Sequence, residues 1–247
     1  MFDHIDCLDM EFINIAADAI RANRLAYVAK PIVGVSSHQL LYSECVPRLW
    51  TESGNVHDGP EFMPALEALG ESPLVDRHIL KLTLDGLELS APSLLGCNVS
   101  IDNFADYEAY ELLREQIVLR FKLATGLVLE INQTDSETDL ALLSRALREL
   151  KALGCKLALK GFSAKNSFNF MQLAHFDIVK IDAFFINPKA PSLSETMELA
   201  KVIALAKHHV ETIVVEGIET PTQERCVAIA GATHIQNVGV SEPQWLH

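Results

Sequence analysis

Eight short β-rich runs, most separated by stretches long enough to hold a helix, restrict the folds open to this chain more than any other feature. They fall at about 26–33, 39–45, 95–99, 126–131, 156–160, 177–181, 212–216 and 233–236. Apolar residues at helical spacing occupy 66–89, 107–123, 137–153, 194–208 and 222–230. Thr220 before Pro221 reads as an N-cap followed by proline in the first turn, and Gly154 as a helix stop. This alternation predicts an α/β protein, a TIM-like (β/α)8 barrel, with a doubly wound open sheet as the alternative. One joint departs from the pattern. Only Val35, Ser36, Ser37 and His38 separate the first two runs, too few for a crossover helix, so these strands are expected to pair antiparallel and the barrel to be irregular at its opening. The segment 51–60 reads as a polar surface loop. No repeat or Pro/Gly-rich linker divides the chain, so 1–247 is read as one domain.

With 49% hydrophobic residues the chain has enough apolar side chains for a sizeable core, which excludes disorder. The 33 Asp and Glu against 20 Lys and Arg leave a net charge of −13, which argues against a nucleic-acid groove and against anionic lipid. No run of 18 apolar residues occurs, and the opening MFDHIDCLDMEF lacks the features of a secretory signal, so a soluble cytoplasmic protein is expected. Cys7, Cys45, Cys97, Cys155 and Cys226 are far apart and never spaced C-x-x-C, which predicts free thiols rather than disulfides or a zinc site. The nine histidines have no H-E-x-x-H spacing and receive no metal role.

In such barrels the chemistry is built at the carboxyl ends of the strands. There the runs offer Glu44, Asn98, Glu130, Lys160, Lys180 with Asp182, Glu216 and Gln236. Singly, each is what a strand presents on surfacing into a loop. Together they form a ring whose carboxylates repel one another unless a cation holds them. The oxygen donors Glu44, Asn98, Glu130 and Glu216 suit Mg²⁺, Mn²⁺ or Ca²⁺, and two such ions would serve to hydrolyse a phosphodiester. Arg48, four residues after Glu44, is a candidate partner for a phosphate oxygen or for a surface carboxylate.

These residues resemble a known family. Lys30-Pro31-Ile32-Val33 and Glu44-Cys45-Val46-Pro47-Arg48 are similar to the QPIV and EALLR segments of EAL domains, the cyclic di-GMP phosphodiesterases of bacterial signalling. Asn98-Val99-Ser100 resembles their NxS, Leu129-Glu130-Ile131 their LEITE, Val179-Lys180-Ile181-Asp182 their KID, and Val215-Glu216-Gly217-Ile218-Glu219-Thr220 their AEGVET. Gln236 and Pro243 fall where the family has the Gln of QG and a late proline, so the likeness spans roughly 10–245. The resemblance implies the EAL fold, an irregular barrel with an antiparallel first strand. It implies metal-ligand positions at Glu44, Asn98, Glu130 and Glu216, and positioning of the attacking water or its metals by Lys180 and Gln236. It further implies a nucleotide contact by Arg48 and a neighbouring acid at Glu219.

The departures cluster at the catalytic machinery. Where the family has DDFGTG, this chain reads Lys160-Gly161-Phe162-Ser163-Ala164-Lys165, so Lys160 and Gly161 replace both metal-bridging aspartates. An ammonium where a divalent ion should sit adds repulsion on the order of several kcal/mol. Gln133 stands for the second glutamate of LEITE, Pro47 precedes Arg48, and Asn237 replaces the glycine after Gln236. The expectation is a degenerate EAL domain that requires no cofactor, with Mg or Mn needed only for residual phosphodiesterase activity. Lys160 either reaches Glu44, Glu130 and Glu216 as a built-in cation or lies solvated on the rim. Three readings stay open: a non-hydrolytic receptor for cyclic di-GMP, a ligand-free module that binds a protein partner, and a weak phosphodiesterase working with one ion. Signalling would then pass through a second protein or a homodimer. Trp50 and Trp245 either pack internally or stack on a guanine base.

Overall fold

The structure is a computed structural model that describes residues 7–89, 94–132, 139–163, 170–183 and 186–238. Gln133, Ala164, Lys165, Pro243 and Trp245 therefore lie outside the described residues. The described part starts with α1 (Cys7–Arg21) and a hairpin of β1 (Leu25–Gly34) and β2 (Leu40–Trp50), followed by β3 (Val56–Asp58), α2 (Gly59–Ala68) and α3 (Ser72–Leu89). There follow β4 (Leu95–Val99), α4 (Tyr107–Leu119), β5 (Leu127–Asn132), α5 (Leu140–Ala152), β6 (Lys156–Lys160) and β7 (Ile178–Asp182). The described part ends with α6 (Leu193–Ala206), β8 (Thr212–Ile218), α7 (Pro221–Ala230) and β9 (His234–Asn237).

The strands run in the order β1-β9-β8-β7-β6-β5-β4-β2-β3, and β1 also pairs with β2, which closes eight of them into a barrel and excludes the open sheet. β1 is antiparallel to both of its neighbours, β2 and β9, as the short connection requires. The remaining barrel pairs are parallel. β2 is long enough to do two jobs: Ser43–Cys45 pairs with β4 inside the barrel, while Arg48–Trp50 carries the outlying β3.

Several elements differ from the sequence-based expectation. The helix expected over 66–89 is two helices, because Gly70 takes a left-handed conformation (φ +70°) and Pro73 opens the first turn of α3. The expected loop at 51–60 contains β3 and the start of α2. α4 ends at Leu119, after which Phe121–Gly126 forms a 3₁₀ turn. No helix was expected before the first strand. α1 is amphipathic, with Phe12, Ile13, Ile15 and Ile20 packed on the core beside the fully buried Ala16 and Ala19, a helical spacing that the reading of the β-rich runs passed over. The end signals held: Thr220 and Gln223 form a reciprocal capping box with Pro221 in the first turn, and Gly154 has φ +107°.

Two apolar zones build the core. One fills the layer between barrel and helices, from Leu49 and Phe62 to Leu199 and Ile235. The other is a plug inside the barrel, made by Ile32, Tyr42, Val128, Ala158, Ile178 and Val214. Cys45, Cys97 and Cys155 are buried free thiols and Cys226 is a half-buried one. Among the described residues no helix is long and apolar enough to cross a membrane.

Candidate functional site

Side chains alternate along a strand, so the residue two positions beyond each plug residue also faces the barrel interior. Tyr42 leads to Glu44, Val128 to Glu130, Ala158 to Lys160, Ile178 to Lys180 and Val214 to Glu216. Asn98 and Gln236 join this second layer from β4 and β9. Beneath it lies hydrocarbon, so its charges interact with little screening from water.

Lys180, fully buried, is the hub. Its Nζ stands 2.8 Å from Glu44 Oε2, 2.8 Å from Glu130 Oε2 and 3.0 Å from Glu216 Oε2. Lys160 approaches the same three carboxylates from above, at 3.1 Å from Glu44, 3.4 Å from Glu130 and 3.8 Å from Glu216, with 17% of its side chain exposed. Glu44 also accepts from Asn98 Nδ2 and Gln236 Nε2, each at 2.7 Å. Tyr42, which sequence reasoning missed, donates its hydroxyl to Glu130 Oε1 at 2.8 Å. Its signal was available, since it lies two residues before Glu44 on the same face of β2.

Three carboxylates and two ammoniums leave the cluster one net negative charge. Burial opposes charge on Glu44, but Lys160, Lys180 and the donors from Lys180 and Gln236 outweigh it and hold the carboxyl well below its usual range. Burial together with repulsion from Glu44 raises Glu130. Both lysines are disfavoured by burial, yet the surrounding glutamates more than compensate and strengthen their hold on the proton.

The cluster forms the floor of a cavity of about 410 Å³, near the lower end of the roughly 300–1,000 Å³ typical of ligand sites. Val46, Pro47, Pro60 and Met63 give it an apolar wall, and Asp182 and Asn237 stand along it. Two further acids that sequence reasoning missed also line it. Glu67 is raised by burial and by Asp102. Asp76, on α3, accepts from the Ser100 amide at 2.7 Å and Asn103 Nδ2 at 2.9 Å, and burial pushes it up to about 7. Neither lies at a strand end: Glu67 is on α2 and Asp76 on α3.

Not every expected residue joins the site. Arg48 is absent from the cavity lining and pairs with Asp58 of β3, the carboxylate alternative raised above. Glu219 is exposed, with its backbone amide held by Gln223 in the capping box. Trp50 ends β2 opposite Val56, away from the cavity lining. Gly161 turns the chain after β6 with φ +65°.

The donor set does not fit the divalent ions that the ring of oxygens suggested. An ammonium already stands within ion-pair distance of all three carboxylates, and Glu44 accepts from four donors. Of the anticipated metal-binding oxygens, Asn98 Oδ1 is buried without a hydrogen-bond partner. Among the described residues no group of three His, Cys, Asp or Glu side chains is arranged to hold a metal.

The comparisons agree with this architecture. A solved EAL domain protein from Listeria monocytogenes EGD-e superimposes with a TM-score of 0.78 at 20% identity, over 94% of this chain and 93% of that one. The FimX EAL domain from Pseudomonas aeruginosa, solved bound to c-di-GMP, gives 0.78 at 21% identity, over 94% and 96%. Cyclic di-GMP phosphodiesterase PdeF of Escherichia coli (strain K12) is 21% identical over 232 residues, which is 92% of this chain and 31% of that relative's own length. The EAL domain model matches residues 13–243, so with its closed barrel and antiparallel first strand this chain belongs to the EAL domain family.

Proposed function

We propose that this EAL domain is non-hydrolytic: a signalling module that takes cyclic di-GMP at the barrel mouth without a metal ion and relays its occupancy to a protein partner. The carrying observation is Lys160, whose ammonium lies 3.1 to 3.8 Å from Glu44, Glu130 and Glu216. Phosphodiester hydrolysis of the two-metal kind needs divalent ions to clamp the phosphate and generate hydroxide. Here an ammonium occupies the cation-binding centre, and the protein neutralises its own carboxylates. The absence of both family aspartates at Lys160 and Gly161 supports the same reading.

Ligand binding is supported by the open cavity and by the likeness to the FimX EAL domain, solved with c-di-GMP. A ligand-free interaction module is the second reading. It is favoured by Arg48, whose guanidinium is committed to Asp58, and by the extra acids Glu67, Asp76 and Asp182 along the cavity. Calorimetric titration with cyclic di-GMP in EDTA and in Mn²⁺, with chromatography of the products, separates the cases. Metal-free binding with intact dinucleotide is the expected result. Absence of heat would favour the interaction module, and a linear dinucleotide product would overturn the non-hydrolytic reading.

A further inference from the structure

The inner polar layer has an eighth member. β1 runs opposite to the other barrel strands, so its residue in this layer precedes its plug residue: Lys30 comes two positions before Ile32. Lys30 is paired across the hairpin with Glu44, lines the cavity and is half-buried. Yet no carboxylate among the described residues lies within ion-pair distance of its ammonium. The other cations are committed: Lys180 and Lys160 to three glutamates, Arg48 to Asp58 outside the cavity. A half-buried lysine without a carboxylate partner among the described residues, lining an open cavity beside the apolar wall of Val46, Pro47, Pro60 and Met63, is suited to an anion carried by a flat or apolar group.

We propose that Lys30 is the ligand-facing cation of this mouth, donating from Nζ to a phosphate oxygen of the bound molecule while that molecule's apolar portion lies along the β2–α2 wall. The assignment builds on the cyclic dinucleotide reading and adds the residue that would replace Arg48 as phosphate contact. It is specific to a site in which the floor cations are already neutralised.

The test is calorimetry on the wild type, Lys30→Met and Lys30→Arg, with two probes, cyclic di-GMP and inorganic pyrophosphate, at low and high salt. Lys30→Met should bind cyclic di-GMP about 10- to 100-fold more weakly, the scale of one charge-assisted hydrogen bond. It should lose most of the wild type's salt dependence and keep its melting temperature, because no ion-pair partner among the described residues is lost. Lys30→Arg should retain most of the affinity. If cyclic di-GMP gives no heat but pyrophosphate binds the wild type and not Lys30→Met, the dinucleotide reading fails and the Lys30 assignment stands. Equal binding to wild type and Lys30→Met, or no binding of either probe to the wild type, overturns the assignment.

Discussion

Replacing Lys160 by alanine asks whether the protein supplies its own cation. The substitution leaves Glu44, Glu130 and Glu216 around the single ammonium of Lys180, doubling the net negative charge of a cluster that rests on hydrocarbon. Each contact of 3.1 to 3.8 Å represents on the order of 5 kcal/mol of attraction at an effective dielectric near 20. Desolvation of the ammonium and its repulsion from Lys180 cancel most of that sum. Breaking a buried ion pair by removing one partner typically costs about 3–5 kcal/mol net. For a chain of this size that corresponds to a fall in melting temperature of roughly 10 °C. The stranded carboxylates should then bind a divalent ion, so Mg²⁺ or Mn²⁺ at 100 times its dissociation constant would restore about 2.7 kcal/mol. Thermal unfolding followed by circular dichroism, in EDTA and in millimolar Mn²⁺, reads both effects. The wild type should melt within a degree of the same temperature in both. A Lys160→Ala protein as stable as wild type in EDTA, or a wild type raised many degrees by Mn²⁺, would refute the built-in cation.

Three further tests address the supports of the site. Asp76 is raised to about 7 by burial from an ordinary value of 3.8, so its folded form keeps a proton that the unfolded chain releases. That contribution is full below about pH 4 and lost as the pH rises through 7, an upper bound of about 4 kcal/mol. Urea midpoints between pH 4.5 and 7.5 should fall with pH in the wild type and flatten in Asp76→Asn; equal slopes would discard the idea. Tyr42→Phe removes the buried donor to Glu130 and should cost about 1.5–3 kcal/mol in denaturant unfolding, with a loss below 0.5 kcal/mol counting against its role. A Cβ at Gly96 would meet the Tyr42 ring at 2.7 Å, and that ring is fully buried. Gly96→Ala should therefore cost about 1–3 kcal/mol, and an unchanged melting temperature would mean the ring has room to move.

Much of this arrangement was legible in the sequence because it rests on local rules. A four-residue gap cannot hold a crossover, so the antiparallel first pair follows from connection length alone. The carboxyl ends of parallel strands converge on one rim, so reading them brought together Glu44, Asn98, Glu130, Lys160, Lys180, Glu216 and Gln236. What escaped depends on non-local geometry. Arg48 shares a strand with Glu44, but β2 continues past the barrel to carry β3, and there Asp58 captures the guanidinium. Asp76 reaches the cavity from a helix, and nothing in the spacing of α3 marks one polar residue of its buried face as facing a ligand space.

Lys30 shows how one correct inference can conceal another. The hairpin meant that the first strand is reversed, and a reversed strand presents its amino-terminal half to the mouth where its neighbours present their carboxyl ends. The strand-end rule yields Glu44, Asn98, Glu130, Lys160, Lys180, Glu216 and Gln236 from the other seven runs and has no residue to offer from β1. The layered alternation corrects this: Ile32 lies in the plug with Val128 and Val214, so Lys30 belongs with Glu130 and Glu216. With Lys30 included, the polar layer has one residue from each barrel strand and its formal charges cancel, three carboxylates against three ammoniums. Two of those ammoniums are bound into the floor. The third lines the cavity without a carboxylate partner among the described residues, so under the proposal above an anionic ligand finds its electrostatic complement on the strand that runs against the others.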